Sequence, residues 1–404
     1  MKMWKRFGIL LKKRKTSAKS LPYVILTLIL VGIVLSSIVL MVGYFYKITN
    51  VFENQNSLID KAKSIRNFCI ANYQTQSDLQ KNYEGDSFEK STIKKNNWGI
   101  LDKVQFKVWN KNDTLNETLF IGEKRSEKRA LYISNNNKQL KLGGETVIQG
   151  NIYVPMKNFD EFYIPQKKND IKIAGNVKQS SERLPKIKDF SIAENFEPVD
   201  LSNLSSGYSN NFFATVKKVV IYDGVLENLK IEGNMIVESF KKLVIKGNTV
   251  LKDVIIVAPE VIIENNFIGT IQVLSTKKIT IKRNVTLKFP SVLYVKSKKE
   301  GAIIIDEESV ILGAVIGVSQ ENKSEINIKE NAKIVGDLYC TGSLTFKGKM
   351  FGSIMANELY FNTNESEYRN AALDLKIFDL PEFTPQLTLF EGHKTTPRIL
   401  KCIN

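Results

Sequence analysis

The feature that most constrains this chain is a stretch without charge between Lys19 and Lys47. It contains no Asp, Glu, Lys, Arg or His, and its centre, Tyr23 to Tyr46, reads YVILTLILVGIVLSSIVLMVGYFY. About 20 apolar residues span the hydrocarbon of a bilayer as a helix, because lipid cannot satisfy the polar groups of an open backbone. Aromatic residues at both ends of the stretch suit the two membrane interfaces. The sequence therefore predicts a transmembrane helix over residues 21–46.

The charges around this stretch predict its orientation. Residues 1–20 carry eight Lys or Arg and no acid, and short basic tails of this kind stay in the cytoplasm. We therefore expect a single-pass protein of the bacterial inner membrane, with a cytoplasmic N-terminus and a periplasmic or other extracytoplasmic bulk. A cleaved signal peptide is the competing interpretation, but the stretch is longer than a signal core of roughly 7–15 residues and no A-x-A-like site follows it.

The net charge of +16 does not indicate a nucleic-acid partner. Eight of the charges belong to the cytoplasmic tail, which leaves about +8 on the rest of the chain. Those are spread along the chain in Lys pairs, whereas a nucleic-acid site gathers its basic residues on one face. Membrane lipid is the partner that the tail and the helix imply.

Helical periodicity continues beyond the membrane. Apolar residues recur at spacings of three and four, and neither Pro nor Gly interrupts them, so one helix is expected from about Pro22 to Gln76. Its outer part, residues 47–80, is predicted to be an amphipathic stalk that lies against its own domain or against neighbouring copies. The residues predicted to pack with partners are Val51, Leu58, Ile59 and Ile65.

Residues 216–361 repeat a short phrase, I-x-I followed by a polar pair and Gly or Asn. It occurs as LVIKGN, VIIENN, ITIKRN, IIIDEES, INIKEN and LTFKGK. The second apolar residue of each phrase is separated from the next by 18, 18, 24, 23 and 18 positions, with Ile221 lying 24 positions ahead of the first. These residues are Ile245, Ile263, Ile281, Ile305, Ile328 and Phe346. A period near 20 with alternating strands predicts a β-solenoid whose apolar residues stack into ladders.

The regions beside the repeats are assigned by texture. Residues 97–185 are predicted to form a β-rich neck, in which KLGGETVIQGNIYVP and IKIAGNV already carry the phrase of the repeats. Residues 362–404 break the phase and are expected to be a cap or tail, since the open end of a solenoid needs covering. The fold class expected is mainly β, with one N-terminal transmembrane helix that continues into the stalk, then the neck and the solenoid head.

Two parts of the chain resemble known families. The coils resemble bactofilins in length and phrasing over about 140 residues, which implies a structural module without metal or nucleotide that associates end to end. The first 80 residues resemble type IV pilins and pseudopilins in layout, although SAKSLPYVILTL lacks the Glu found five residues into their helix. The whole layout is similar to uncharacterised anchored proteins of Bacteroidetes-type envelopes.

Residues with catalytic chemistry are scarce. The one histidine, His393, lies among prolines near the C-terminus, so triads and His-rich metal sites are hard to build. Cleavage of carbohydrate needs carboxylates clustered on one coil face. The candidates are Asp223, Asp253, Asp306, Glu307, Glu308 and Asp337. Turns would use Asp306 to Glu308 as solvated residues, whereas Asp253 and Asp337 could stack on one face or cap turns.

The function predicted from the sequence is non-enzymatic and structural. We expect an anchored scaffold or assembly protein, with a pilin-like component of a secretion or surface-appendage system as one form of it. It would self-associate or bind envelope partners and use no cofactor, metal or catalytic residue. The alternative is a membrane-tethered β-helix that binds or cleaves carbohydrate. The three cysteines, Cys69, Cys340 and Cys402, show no disulfide pattern, and a bridge between the last two stays open.

Overall fold

The computed structural model contains one long helix, a small antiparallel sheet and a β-solenoid. The residues it describes are 20–73, 90–111, 113–164, 168–190, 192, 195–200, 207–363, 366–381, 384–391 and 395–403. The mainly β fold class, with a single long N-terminal helix followed by a solenoid, is therefore confirmed.

Helix α1 spans Ser20–Asn72, close to the range predicted from its periodicity. At 1.5 Å per residue its 53 residues extend ~80 Å. Residues 20–53 are exposed along the whole of this length. The buried residues of the helix are Leu58, Ala62, Ile65 and Cys69. Their spacing of four, three and four places them on one stripe, so only the second half of the helix packs on the body.

That second half packs on a four-stranded antiparallel sheet. Three of its strands follow the helix in the chain, namely β1 (Lys90–Trp98), β2 (Leu101–Trp109) and β3 (Thr114–Arg125). The fourth, beside β3, is the last strand of the chain, Thr395–Ile403. Arg125 and Thr395 pair across this edge although they lie 270 positions apart in the chain. The sheet therefore needs the C-terminus to be complete.

Nearly all other strands stack as parallel coils of a solenoid with about 11 turns. At ~4.8 Å between neighbouring strands the stack is ~50 Å long. Its strands are β4 (Arg129–Ile133), β5 (Leu140–Gly143), β6 (Glu145–Gln149), β7 (Asn151–Val154), β8 (Phe159–Phe162), β9 (Asp170–Ala174), β10 (Val177–Gln179), β11 (Phe196–Val199), β12 (Tyr208–Asn210), β13 (Val216–Val220), β14 (Val225–Leu226), β15 (Lys230–Gly233), β16 (Met235–Glu238), β17 (Leu243–Ile245), β18 (Val250–Ile263), β19 (Ile268–Ile281), β20 (Thr286–Ser297), β21 (Glu300–Ile305), β22 (Val310–Ser319), β23 (Lys323–Ile328), β24 (Lys333–Phe346), β25 (Lys349–Asn362), β26 (Glu367–Arg369), β27 (Ala371–Leu373) and β28 (Lys376–Phe378). The C-terminal strand is then β29, and a 3-10 turn, Pro155–Lys157, follows β7.

The predicted ladder of six residues from Ile245 to Phe346 is confirmed. Each member pairs in register with the next on the neighbouring coil, and the five isoleucines are fully buried. The coil after Ile281 is longer because it has a bulge before Val292 and a longer turn after Val295. The prediction for Ile221 is wrong, because the residue that stacks on Ile245 is Leu226.

The coils do not follow the order of the chain. The last long coil strand, β25, pairs with β4, which precedes the repeats, and β28 pairs with both β25 and β6. One coil is thus made of two distant pieces of chain, β28 and β4. The segment 97–185, predicted to be a neck, is divided between the antiparallel sheet (β2 and most of β1 and β3) and the solenoid (β4–β10). Residues 362–404, predicted to be a cap or tail, supply β26–β28 and β29.

One outer face of the solenoid is apolar and covered. Its residues stack in register on successive coils, as Leu274, Tyr294, Ile316, Tyr339, Met355 and Tyr132. Residues 180–190, the strap, lie over this column, where Tyr339 donates a hydrogen bond to the carbonyl of Pro185 at 3.0 Å and Phe190 packs edge-on against Tyr294. Burial on both sides explains why runs such as VIIVA at 254–258 are apolar without alternation.

Candidate functional site

Two of the predicted carboxylates fasten the antiparallel sheet to the solenoid. Asp337 accepts two hydrogen bonds from the guanidinium of Arg125 in β3, at 2.7 and 3.1 Å. Asp253 contacts the Nζ of Lys401 in β29 through both oxygens at 2.6 Å. Both side chains are almost fully buried, at 1% and 6% exposure. The two residues face the sheet, so their carboxylates serve docking and are not open to a ligand.

The backbone around Asp337 explains its placement. Gly336, which precedes it, has φ +133 at the corner between two strands of its coil. A Cβ at this position would lie 1.8 Å from the carbonyl oxygen of Gly313 on the neighbouring coil. Only glycine permits this close approach, and the corner aims the next side chain outwards at Arg125.

The β1–β2 hairpin docks on the solenoid through one side-chain amide. Gln272 accepts a hydrogen bond from the Ile100 N–H and donates one to the Trp98 carbonyl, both at 2.8 Å. Gly99, between those two residues, has φ +58, as a tight two-residue hairpin requires. The Trp98 indole N–H also donates to the Asp253 carbonyl at 3.2 Å. The amide of Gln272 thus satisfies a buried hairpin turn as a neighbouring strand would.

The remaining carboxylate candidates lie in turns. Asp223 accepts a hydrogen bond from the Val225 N–H at 3.2 Å, which is the predicted capping of a turn. Asp306 pairs with Lys329, and both Glu307 and Glu308 pair with Arg283 of a neighbouring coil. The six candidates therefore do not converge on one site. His393 lies outside the described residues.

The cysteines are inert in this fold. All three are free: Cys340 lies in the solenoid core, whereas Cys402 contacts Glu117 in the antiparallel sheet, so the bridge that the sequence left open is absent. Burial, with a smaller effect from Glu117, raises the pKa of the Cys69 thiol to about 12. Burial raises the pKa of the Cys340 thiol to about 11. Such thiols are protonated at neutral pH and react slowly.

The projecting half of α1 is the first candidate functional surface. Among the described residues, α1 alone is long and apolar enough to cross a membrane, with a mean hydropathy of 2.9 over its best 18 residues, all unburied. Of the residues predicted to pack with partners, Val51 and Ile59 are 45% and 42% exposed. The prediction is wrong for Leu58 and Ile65, which are buried against the protein's own sheet.

A polar groove of about 1090 Å³, the second candidate surface, runs along one edge of the solenoid beside the strap. Its floor is a column of residues in register on six coils, Glu260, Lys278, Ala302, Glu325, Ser343 and Glu358. Each is the residue immediately before an I-x-I phrase or its equivalent, so the repeat itself carried the signal that the sequence analysis missed. The strap contributes Glu182 and Arg183 to the opposite wall.

No group of His, Cys, Asp or Glu within the described part of the chain is arranged to hold a metal ion. No protein-family model matches the sequence, and the comparison with curated proteins gives no match. Among solved structures, the chain is similar to the competence-associated pilin ComZ from Thermus thermophilus, at 8% identity over 87% of this chain and 96% of that chain, with a TM-score of 0.20. A TM-score this low does not establish a common fold.

Proposed function

We propose that this protein is a non-enzymatic, membrane-anchored structural or assembly protein of the extracytoplasmic space. Residues 21–46 of α1 lie in the bacterial inner membrane, the basic tail lies in the cytoplasm, and the sheet and solenoid lie outside. The observation that carries the proposal is that one continuous helix is fully exposed and apolar at one end and buried in the protein body at the other.

The exposed apolar surface of α1 needs a cover. Large side chains such as Leu28, Val39 and Leu40 are 66–71% exposed, and a continuous apolar surface of this kind is unstable in water. Lipid covers residues 21–46, because their length matches a bilayer. The first contact of the helix with the body is at Leu58, 12 residues beyond Tyr46, which places the body ~18 Å along the helix from the membrane.

The segment between membrane and body is the surface proposed for self-association. Ile48, Val51, Phe52 and Ile59 project from one side of the helix without a partner in the body. Copies that packed through this side would form an assembly with parallel helices, as a pilin-like component of a secretion or surface-appendage system would. The alternative of carbohydrate cleavage draws no support from the predicted carboxylates, since Asp253, Asp337 and the pairs with Arg283 are engaged in ion pairs.

Protease accessibility and cross-linking test the proposal. In spheroplasts, the head should be digested from outside while the membrane is intact. In a Cys402→Ser background, Val51→Cys should form disulfide-linked multimers, whereas Glu53→Cys, on the opposite side of the helix, should not. A head protected until the membrane is breached would invert the topology and overturn the proposal. Equal cross-linking, or none, at the two positions would overturn self-association through this face.

A further inference from the structure

The polar groove between the strap and the coil turns is not used by the fold or by the proposed anchoring. We propose that it binds an extended polysaccharide strand, whose sugar units lie along successive coils. The inference does not depend on the proposed structural function, because it rests on the groove alone.

The groove has the length of a polymer segment. Its floor crosses six coils from Glu260 to Glu358, and five steps of ~4.8 Å make it ~24 Å long. It is open along its outer side and has side chains from the strap on one wall. A ligand of repeating units meets a similar environment at each step, because the floor repeats with the coils.

Its charges are mixed. The carboxylates lining it are Glu182, Glu260, Glu300, Glu325 and Glu358, and the cations are Arg183, Lys277, Lys278 and Lys323. A polyanion such as nucleic acid binds where cations predominate, and a polycation binds where carboxylates do. Five acids among four bases favour neither. A ligand without strong net charge, rich in groups that both donate and accept hydrogen bonds, fits this lining.

Several of these groups are available to a ligand. Glu260, Glu325 and Arg183 make no side-chain hydrogen bond or ion pair with other described residues. Glu358 is held in place by the hydroxyl of Tyr360 at 3.0 Å and by the amide of Asn136 at 3.2 Å. The groove thus combines oriented and unengaged polar groups, the arrangement that hydroxyl-rich ligands need for specific hydrogen bonds.

The same surface is a poor receptor for a peptide. The floor strands pair with coils on both sides, so their backbones offer no edge to which a peptide strand could add. The apolar lining is limited to a few side chains, among them Leu184, Ala302 and the rings of Tyr339 and Tyr360. Such rings stack on the faces of sugars, whereas a peptide or an amphipathic helix needs deeper apolar pockets for its anchor residues.

Binding to defined oligosaccharides tests the proposal. The full chain is prepared in a detergent without a sugar headgroup and titrated calorimetrically with hexasaccharides, namely β-1,4-linked N-acetylglucosamine, β-1,4-linked glucose and α-1,4-linked glucose. Purified peptidoglycan is used in a sedimentation assay. At least one probe should bind, and the corresponding disaccharide should bind about tenfold more weakly or less, because it spans a small part of the floor.

Paired variants locate the binding. Glu325→Ala and Arg183→Ala should each weaken the hexasaccharide about tenfold, because each removes a charged hydrogen-bonding group. Glu330→Ala, an exposed carboxylate just beyond the same strand and outside the groove, should leave affinity unchanged. Failure of every probe at millimolar concentration, equal affinity in all three variants, or an extended peptide that competes for the groove would each overturn the proposal.

Discussion

The solenoid and the antiparallel sheet are held in different ways. In the solenoid, each apolar residue stacks on a similar residue above and below, as Ile263, Ile281 and Ile305 do, so its stability is divided among many equivalent contacts. The sheet is fixed by a few unlike polar groups, Asp337, Asp253 and Gln272, and by a C-terminal strand that arrives from far along the chain. The comparison teaches that the repeats tolerate change locally, whereas the docking depends on single residues.

The substitution Asp337→Ala should break this comparison most strongly. It leaves the Arg125 guanidinium, 12% exposed, with only Glu123 as a carboxylate partner. Removing one partner of a buried pair costs about 3–5 kcal/mol. We expect that loss in the free energy of unfolding, measured by chemical denaturation. The double variant Arg125→Met/Asp337→Leu should recover most of it, and a double variant as unstable as the single one would contradict the role given to the pair.

The substitution Ile281→Ala should sharpen the other side of the comparison. It removes a fully buried member of the ladder, which costs about 3 kcal/mol. Because each coil contacts only its neighbours, hydrogen exchange should increase in β18, β19 and β21 and stay unchanged in β1 and β2. Thr280→Ala, on the opposite side of the same strand, is the matched control and should have little effect. Exchange that rises equally throughout the molecule would refute local coupling.

The substitution Gln272→Ala should release the hairpin without loosening the coils. The Ile100 N–H and the Trp98 carbonyl would lose their partner in a buried site, at a cost of about 2 kcal/mol. The amide of Ile100 should then exchange faster, as measured by NMR, while that of Ile263 stays protected. The control is Gln320→Ala, an exposed glutamine in a coil turn. An Ile100 amide that remains protected would show that the clamp is dispensable.

The smallest expected effect concerns a buried cation between the two regions. Lys103 is 4% exposed, faces the rings of Trp98 and Phe212, and has no carboxylate within ion-pair distance among the described residues. Burial lowers the pKa of its ammonium from 10.5 to about 8. Between pH 8 and 10.5 the unfolded chain therefore binds more protons than the folded one, so the contribution of Lys103 to stability rises with pH over that window.

Lys103→Met tests this directly. The variant should be more stable than the natural protein at pH 7 by about 1 kcal/mol, since it removes the penalty for burying a charge. The difference should shrink as pH rises from 8 to 10.5, and comparing the two proteins cancels all other titrations. A difference that is constant over this range would show that Lys103 keeps its ordinary pKa.

The repeats could be predicted from the sequence because their contacts are periodic. The phrase I-x-I gave the correct register for every step from Ile245 to Phe346, and its early copies at 141–155 and 171–177 indeed supply coil strands. The error at Ile221 arose where the strands become short and Leu226 takes the ladder position. The uninterrupted apolar run at 254–258 signalled burial on both sides but was interpreted only as alternation.

The docking and the groove were beyond this reasoning for a physical reason. Pairing of β3 with β29, and of β4 with β25, joins segments with more than 200 residues between them, and nothing local in either segment specifies the partner. Asp253 and Asp337 were identified as neighbours on one face, but their cations, Lys401 and Arg125, come from those distant strands. The groove combines six coils with a strap, so no single motif carries it.

The coil made of β28 and β4 sets the order in which the protein can be completed. During synthesis β4 emerges first and waits for some 220 residues before β25 is available to pair with it. Until the last strand follows, β3 and β4 expose open edges, which are prone to pair with other chains. A nascent or truncated chain therefore remains vulnerable to aggregation and proteolysis until its final residues arrive, and the C-terminus acts as a proofreading signal for complete synthesis.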